Sequence, residues 1–127
     1  MKVFLGELYV TGNVQITGTD YIPPVPVQSD IEEEINQILK IESVTERAIE
    51  YMLYGMRKQL FWDGNKRTST ICANKIMIEN GAGIIKVPDS KLEEFNVLLS
   101  EYYSTNNNSK IKEFIYDNCI DGIIFEN

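Results

Sequence analysis

Hydrophobic residues recur at helical spacing through most of the chain after residue 28, and polar residues fill the positions between them. Ser43 and Ser90 each stand three residues before a glutamate, which is the capping-box pattern of a helix start. Gly81 follows the third apolar segment, where a left-handed residue commonly ends a helix. The pattern predicts a mainly α fold with helices over residues 30–41, 43–58, 65–80, 90–103 and 110–120.

The apolar face of each predicted helix should contribute to one shared core. In the first helix these residues are Ile31, Ile35, Ile38 and Leu39, and in the second they are Ala48, Met52, Leu53 and Met56. In the fourth helix they are Leu92, Phe95, Leu98, Leu99 and Tyr102, and in the fifth they are Ile111, Phe114, Ile115 and Cys119. In the third helix the apolar residues cover a wide arc and predict a central position in the bundle: Ile71, Cys72, Ala73, Ile76, Met77 and Ile78.

Before the helices, β-branched and aromatic residues alternate with polar ones and are punctuated by glycine. This pattern predicts a β-hairpin over residues 9–22 that turns near Gly12-Asn13 and leaves through Pro23-Pro24. Its open edge could accept an extended peptide as an added strand. A short hairpin more often covers part of the core, and the pattern alone favours that simpler role.

The composition is that of one folded domain, so residues 1–127 are expected to form a single unit with a helical core over 30–120. A net charge of −7 argues against a nucleic-acid partner, because phosphates would be repelled. The sequence has no membrane-length apolar run and no secretion signal, so we expect a cytoplasmic protein without a membrane partner. Cys72 and Cys119 lack metal-ligand spacing and are expected to be small buried hydrophobes.

The chain contains no histidine. The most common general base and the most common transition-metal ligand are therefore both missing. This excludes serine–histidine and cysteine–histidine hydrolases and argues strongly against a zinc site.

Between the second and third predicted helices, five consecutive residues combine an acid, a glycine, an amide and two cations: Asp63-Gly64-Asn65-Lys66-Arg67. Backbone N–H groups at a helix start bind phosphate readily, and a glycine lets the backbone approach the ligand. The spacing fits a polyanion site, and it fits equally well an ordinary helix–loop–helix corner with a polar N-cap.

The run Phe61-Trp62-Asp63-Gly64-Asn65-Lys66-Arg67-Thr68 resembles the signature loop of the Fic/Doc (Fido) family, whose pattern is His-x-Phe-x-Asp/Glu-Gly-Asn-Gly/Lys-Arg. The segment ending in Tyr21-Ile22-Pro23-Pro24 is similar to the family's flap, so the resemblance covers roughly residues 7 to 120. It implies a Fic-type helical bundle around a central motif-bearing helix, with an N-terminal β-hairpin flap. The family's usual activity is transfer of a nucleotide monophosphate to a protein hydroxyl, most often AMPylation. The Doc branch, which tends to have lysine at the position of Lys66, transfers a phosphate instead.

The resemblance also implies a role for each matching residue. Asp63 would hold Mg²⁺ against the donor phosphates of ATP or another nucleotide. Gly64, Asn65, Lys66 and Arg67 would form the anion hole, with Arg67 neutralising phosphate charge. The flap would pair with the target protein through Val10, Thr11, Val14, Gln15, Ile16 and Thr17.

Three features of the chain depart from the family pattern. Gln59 stands at the position of the catalytic histidine, and its amide cannot accept a proton at neutral pH. A positioned base contributes roughly 10²–10⁴-fold in rate, so a weak or inactive transferase is expected. Thr70 replaces the second arginine of many AMPylating members, which weakens the hold on the terminal phosphate. Glu126-Asn127 match the end of the family's inhibitory pattern, but Gly122 stands at its hydroxyl position, and we treat this match as a coincidence.

The sequence leaves three hypotheses in order of preference. The first is a Fic-like protein that binds a nucleotide and transfers it slowly or not at all. The second is an active Fic/Doc-type transferase, for AMPylation or phosphorylation, with an unusual base. The third is a non-catalytic interaction module, such as a toxin–antitoxin component, with a protein target or an antitoxin-like partner.

Overall fold

A computed structural model describes residues 28–59 and 64–122. This part of the chain is mainly helical, as predicted. Its helices are α1 (Gln28–Leu39), α2 (Val44–Lys58), α3 (Asn65–Glu79), α4 (Leu92–Thr105) and α5 (Ser109–Asn118), with a 3₁₀ turn at Asp89–Lys91 and short strands β1 (Ile84–Ile85) and β2 (Ile120–Asp121). The hairpin predicted over residues 9–22 lies outside the described residues. None of the helices in this part of the chain is long and apolar enough to cross a membrane.

The helix boundaries follow local signals where those signals are strong. The Ser43 hydroxyl accepts a hydrogen bond from the Glu46 N–H at 3.3 Å and begins α2 as predicted. Gly81, with φ of 67°, follows the end of α3, also as predicted. The first helix begins two residues earlier than expected and ends at Leu39.

The capping box predicted at Ser90 is wrong. The Lys91 N–H donates to the Pro88 carbonyl at 2.9 Å, which places Ser90 inside a 3₁₀ turn. An N-cap side chain requires an extended backbone, so Ser90 cannot cap a helix from there. The helix α4 begins after Lys91, which forms no side-chain cap. Leu92, in the first turn of α4, is 47% exposed, so its predicted place in the core is also wrong.

The central helix of the described fold is α2, which packs against α1, α3 and α5. The four residues predicted to face the core from this helix are all buried: Ala48, Met52, Leu53 and Met56. The four predicted in the last helix, Ile111, Phe114, Ile115 and Cys119, are buried as well. The helical spacing therefore identified the main core surfaces correctly.

The position of α3 differs from the prediction. Ala73 and Met77 are fully buried, whereas Ile71 and Ile78 are 63% and 64% exposed. Two residues along a helix turn the side-chain direction by about 200°, so Ile71 points away from the face that carries Ala73. The motif-bearing helix thus packs one face on α2 and exposes the other, and it is not surrounded by the described core.

After α3 the chain folds back, and β1 lies against that helix. The strand β1 also forms a short antiparallel ladder with β2. Ile84 pairs with Asp121 and Ile85 with Ile120. The last helix was predicted to run to residue 120, but it ends at Asn118, because strand pairing takes over the backbone from Cys119 onward. The Cys119 carbonyl accepts a hydrogen bond from the Lys86 N–H at 2.7 Å.

The outer edge of β1 is held by a side chain of α3. The Ile85 N–H donates to Asn74 Oδ1 at 2.6 Å, and Asn74 Nδ2 donates to the Ile85 carbonyl at 3.1 Å. The Asn74 amide thereby takes the place of a neighbouring strand. It fixes β1, and the residues that follow it, against the helix that carries the signature motif.

An Asn74→Ala variant is expected to lose about 1.5 kcal/mol of unfolding free energy. The change leaves the N–H and carbonyl of buried Ile85 without their partner, although water can reach the half-buried Asn74 position and limit the cost. Urea unfolding measures the loss. Asn36→Ala, at an exposed position of α1, is the control for the gain in helix propensity and should be as stable as the parent or slightly more stable. Equal stability of the two variants would show that the Asn74 contact contributes nothing.

Candidate functional site

The first turn of α3 has the geometry of an anion-binding helix start. Gly64 is the N-cap, with φ of 66° and ψ of 30°, and its carbonyl accepts the Thr68 N–H at 2.7 Å. Because glycine has no side chain, the alternative of a corner with a polar N-cap does not describe this helix. The N–H groups of Lys66 and Arg67 have no partner within the helix at this position, and the positive end of the helix dipole lies behind them.

Gln59 joins the end of α2 to the start of α3. It is the C-cap of α2 in the left-handed conformation, with φ of 51° and ψ of 54°. Its side-chain nitrogen donates to the Met56 carbonyl, and its side-chain oxygen accepts from Asn65 Nδ2 at 3.1 Å. Asn65 is only 8% exposed. Gln59 therefore holds the two ends of the motif loop together through both atoms of its amide.

This contact between Gln59 and Asn65 could not be inferred from sequence spacing. It depends on the left-handed backbone at Gln59 and on the packing of α3 against α2. Asp63, which was predicted to hold Mg²⁺, and the flap residues 9–22 lie outside the described part of the chain. Within residues 28–59 and 64–122, no cluster of acidic, cysteine or histidine side chains could hold a metal ion.

The two cations of the motif are exposed at the start of α3. The Arg67 guanidinium lies against Gly64, with Nη2 3.6 Å and Nε 3.9 Å from where a Cβ on Gly64 would be. Neither Lys66 nor Arg67 forms an ion pair with a carboxylate among the described residues, whereas Lys112 bridges Glu46 and Glu50. The helix start is thus a local positive region on a chain of net charge −7.

A pocket of about 550 Å³ lies beside the first two turns of α3. Its walls come from α2, α3, the segment around β1, and α4. Most of its lining is apolar, and its charged members are Lys66, Arg67 and Lys86. Apolar walls with a few polar groups at one place are typical of sites for small ligands that carry a polar group at one end. The lining residues after α3 join this pocket only because the chain folds back over that helix, so no sequence signal pointed to them: Ile85, Lys86, Val87, Leu92, Phe95 and Asn96.

Thr70 lines the same pocket, at the position where the family often has its second arginine. Its hydroxyl donates to the Lys66 carbonyl at 2.7 Å, with Met52 Sδ 3.6 Å away. This donor is therefore used within the protein. The position supplies no positive charge to the pocket, as the sequence predicted.

The two cysteines are free thiols, as expected. Burial raises the pKa of the Cys119 thiol to about 11, and burial also raises the pKa of Cys72. A thiol is nucleophilic as the thiolate, and raised pKa values disfavour that form at neutral pH. Cys119 is buried, as predicted, whereas Cys72 is only half-buried, so its predicted place among the buried residues is wrong.

The sequence model of the Fic/DOC family matches residues 3–77 of the chain, more than half of its 127 residues. The protein therefore belongs to the Fic/DOC family, which confirms the resemblance seen in the motif. The matched range ends at Met77, inside α3, so β1, α4 and α5 lie beyond it. No curated protein and no solved structure gives a significant match to the chain.

Proposed function

We propose that the protein binds ATP or another nucleotide, together with Mg²⁺, at the first turn of α3, and that it transfers the nucleotide to protein hydroxyls slowly or not at all. The observation that carries this proposal is the position of Gln59. Both atoms of its amide are hydrogen-bonded inside the motif, to Met56 and to Asn65, beside a helix start that suits a phosphate.

Phosphate binding is supported by three features of the helix start. The N–H groups of Lys66 and Arg67 point out of the first turn, Gly64 leaves room for a close approach, and the Arg67 guanidinium lies over that glycine. The pocket beside α3 is large enough for the non-phosphate part of a small ligand. Asp63 is proposed as the Mg²⁺ ligand from the family signature, and a bound Mg²⁺ would neutralise part of the phosphate charge.

The low activity follows from the absence of a group that can take a proton. Transfer to a hydroxyl requires that the hydroxyl lose its proton, and the Gln59 amide cannot accept one. Its oxygen already accepts from Asn65, and its nitrogen donates to Met56. Asp63 would be a poor substitute if it holds the metal, because a nearby cation lowers the basicity of a carboxylate.

Replacement of Arg67 tests the binding half of the proposal. The parent chain should bind ATP with Mg²⁺ in a calorimetric titration, and Arg67→Ala should weaken this binding roughly tenfold or more, because a charge-assisted contact to phosphate is lost. Lys40→Ala is the control: it removes one positive charge from an exposed position at the end of α1 and should bind as the parent does.

Equal affinities for the Arg67 and Lys40 variants would show that ATP does not bind at the first turn of α3. No heat with the parent chain would count against nucleotide binding itself. The interaction module with a protein target or an antitoxin-like partner would then be the remaining hypothesis. Binding together with rapid labelling of a protein by the parent chain would instead support the active transferase with an unusual base.

A further inference from the structure

Lys86 reaches the α3 pocket from a different element than the motif cations do. It follows β1 directly, whereas Lys66 and Arg67 come from the first turn of α3, and all three line the same pocket. Lys86 is exposed and forms no ion pair with the residues that the structure describes. Three unpaired cations around one pocket are unexpected on a chain with 19 acidic and 12 basic residues.

The backbone of Lys86 is held in place from two sides. Its own N–H donates to the Cys119 carbonyl at 2.7 Å, and the preceding residue, Ile85, is bonded through both backbone groups to Asn74 of α3. The base of the side chain is therefore fixed relative to the motif helix, and the side chain is exposed. Such preorganisation lowers the cost of binding.

We propose that Lys86 is a third phosphate contact, which meets the part of a nucleotide's phosphate chain that extends beyond the start of α3. This inference rests on the proposed function. Lys66 and Arg67 can together bind one phosphate at the start of α3. Lys86, on a separate element, can contact a ligand only if its negative charge extends beyond that first phosphate.

The adjacent turns of α3 offer no other cation for that extra charge. Thr70 is neutral and its hydroxyl donates to the Lys66 carbonyl, Ile71 is apolar, and Lys75 pairs with Glu79 at 3.8 Å. Lys86 is the cation that the fold brings to the pocket from across it. It also lies beyond residues 3–77, the range that matches the family.

Calorimetric titrations with AMP, ADP and ATP, each with Mg²⁺, test the assignment on the full chain. Lys86→Gln should lower the affinity for ATP roughly tenfold and leave the affinity for AMP within about twofold of the parent, because only the longer ligand reaches Lys86. Lys86→Arg should retain the ATP affinity of the parent. Lys40→Gln, with the same change of charge at an exposed site away from the pocket, should alter none of the three. The effect of Lys86→Gln on ATP should shrink at high salt.

The outcomes separate this inference from the function on which it rests. If the parent binds nucleotides but Lys86→Gln weakens AMP as much as ATP, or matches Lys40→Gln, the role of Lys86 is wrong and nucleotide binding stands. If the parent binds AMP, ADP and ATP equally, the additional phosphates meet no cation and the role of Lys86 is also wrong. If the parent binds none of them, both proposals fail. Lys86 is exposed, so the variants should unfold at the temperature of the parent, which thermal unfolding verifies.

Discussion

A Gln59→His variant will label a target protein with AMP from ATP roughly 10²–10⁴ times faster than the parent chain, because it restores a positioned base. Residue 59 has a left-handed backbone with φ of 51°, which histidine tolerates better than most residues do. The substitution gives up two side-chain hydrogen bonds, to Met56 and Asn65, at the edge of the motif. The loop should survive this loss, since both residues belong to packed helices.

The measurement is incubation of each variant with labelled ATP, Mg²⁺ and cell lysate. Gln59→Ala is the matched control, because it removes the same two hydrogen bonds without adding a base, and it should label no faster than the parent. The base acts as neutral imidazole. The labelling rate of the histidine variant should therefore rise with pH through about 6.5, the usual pKa of histidine.

A histidine variant that binds ATP as the parent does but labels nothing would show that the missing base is not what limits transfer. The interaction-module hypothesis would then gain support. Rapid labelling by the parent chain itself would show that another group takes the proton, as the second hypothesis holds.

The sequence predicted the parts of the fold that depend on local signals. The second helix has both a capping box at Ser43 and an apolar face of regular spacing, and its observed range is Val44–Lys58. The end of the third helix was marked by Gly81, which has the left-handed backbone that ends a helix. In both cases the deciding interactions lie within one or two turns of the residue concerned.

Features set by contacts between distant residues were not predictable in the same way. Helical spacing cannot tell whether a wide apolar arc is covered on all sides, and Ile71 and Ile78 are exposed. The pairing of β1 with β2 joins chain segments that are far apart in sequence. The hold of Asn74 on Ile85 requires the chain to fold back on α3 directly after that helix ends. The Ser90 signal was local but was overridden by the tight turn after Pro88.

In the candidate site, too, local sequence signals identified some residues, and contacts between separate segments determined the rest. The motif residues Gly64–Arg67 were found from their order, and family membership is confirmed by the match over residues 3–77. Their assigned roles stay predictions, as do those of Asp63 and the flap. The contact of Gln59 with Asn65 and the position of Lys86 became visible only from the folded chain. Sequence therefore identified the motif, and the fold supplied what surrounds it.

The helices α2 and α3 approach each other closely at Gly55, near the motif. A Cβ built on Gly55 would lie 3.1 Å from the Cβ of Ser69 and closer still to its Oγ. Gly55 lies four residues before Gln59, and Ser69 lies four residues after Asn65. The contact is thus one helical turn from each end of the hydrogen bond that closes the motif loop.

Gly55→Ala is therefore expected to destabilise the protein by about 2 kcal/mol. Overpacking of this kind costs up to about 3 kcal/mol, and the better helix propensity of alanine returns about 1 kcal/mol. Denaturant unfolding measures the change. The same variant should bind ATP more weakly than the parent, since α3 must move away from α2 and Asn65 moves with it.

Ser69→Gly tests whether the clash with the Ser69 side chain causes this loss of stability. It removes the atoms that alanine at position 55 would strike, and it costs no hydrogen bond, because Ser69 Oγ has no partner among the described residues. In the Ser69→Gly background the clash is absent and Gly55→Ala keeps only the helix-propensity gain of about 1 kcal/mol, which gives a coupling free energy of about 3 kcal/mol between the two positions. A Gly55→Ala protein as stable as the parent, or a coupling near zero, would mean that the close approach of α2 and α3 does not depend on glycine at position 55. The motif would then be positioned by the other contacts of α3 with α2 and by the hydrogen bond between Gln59 and Asn65.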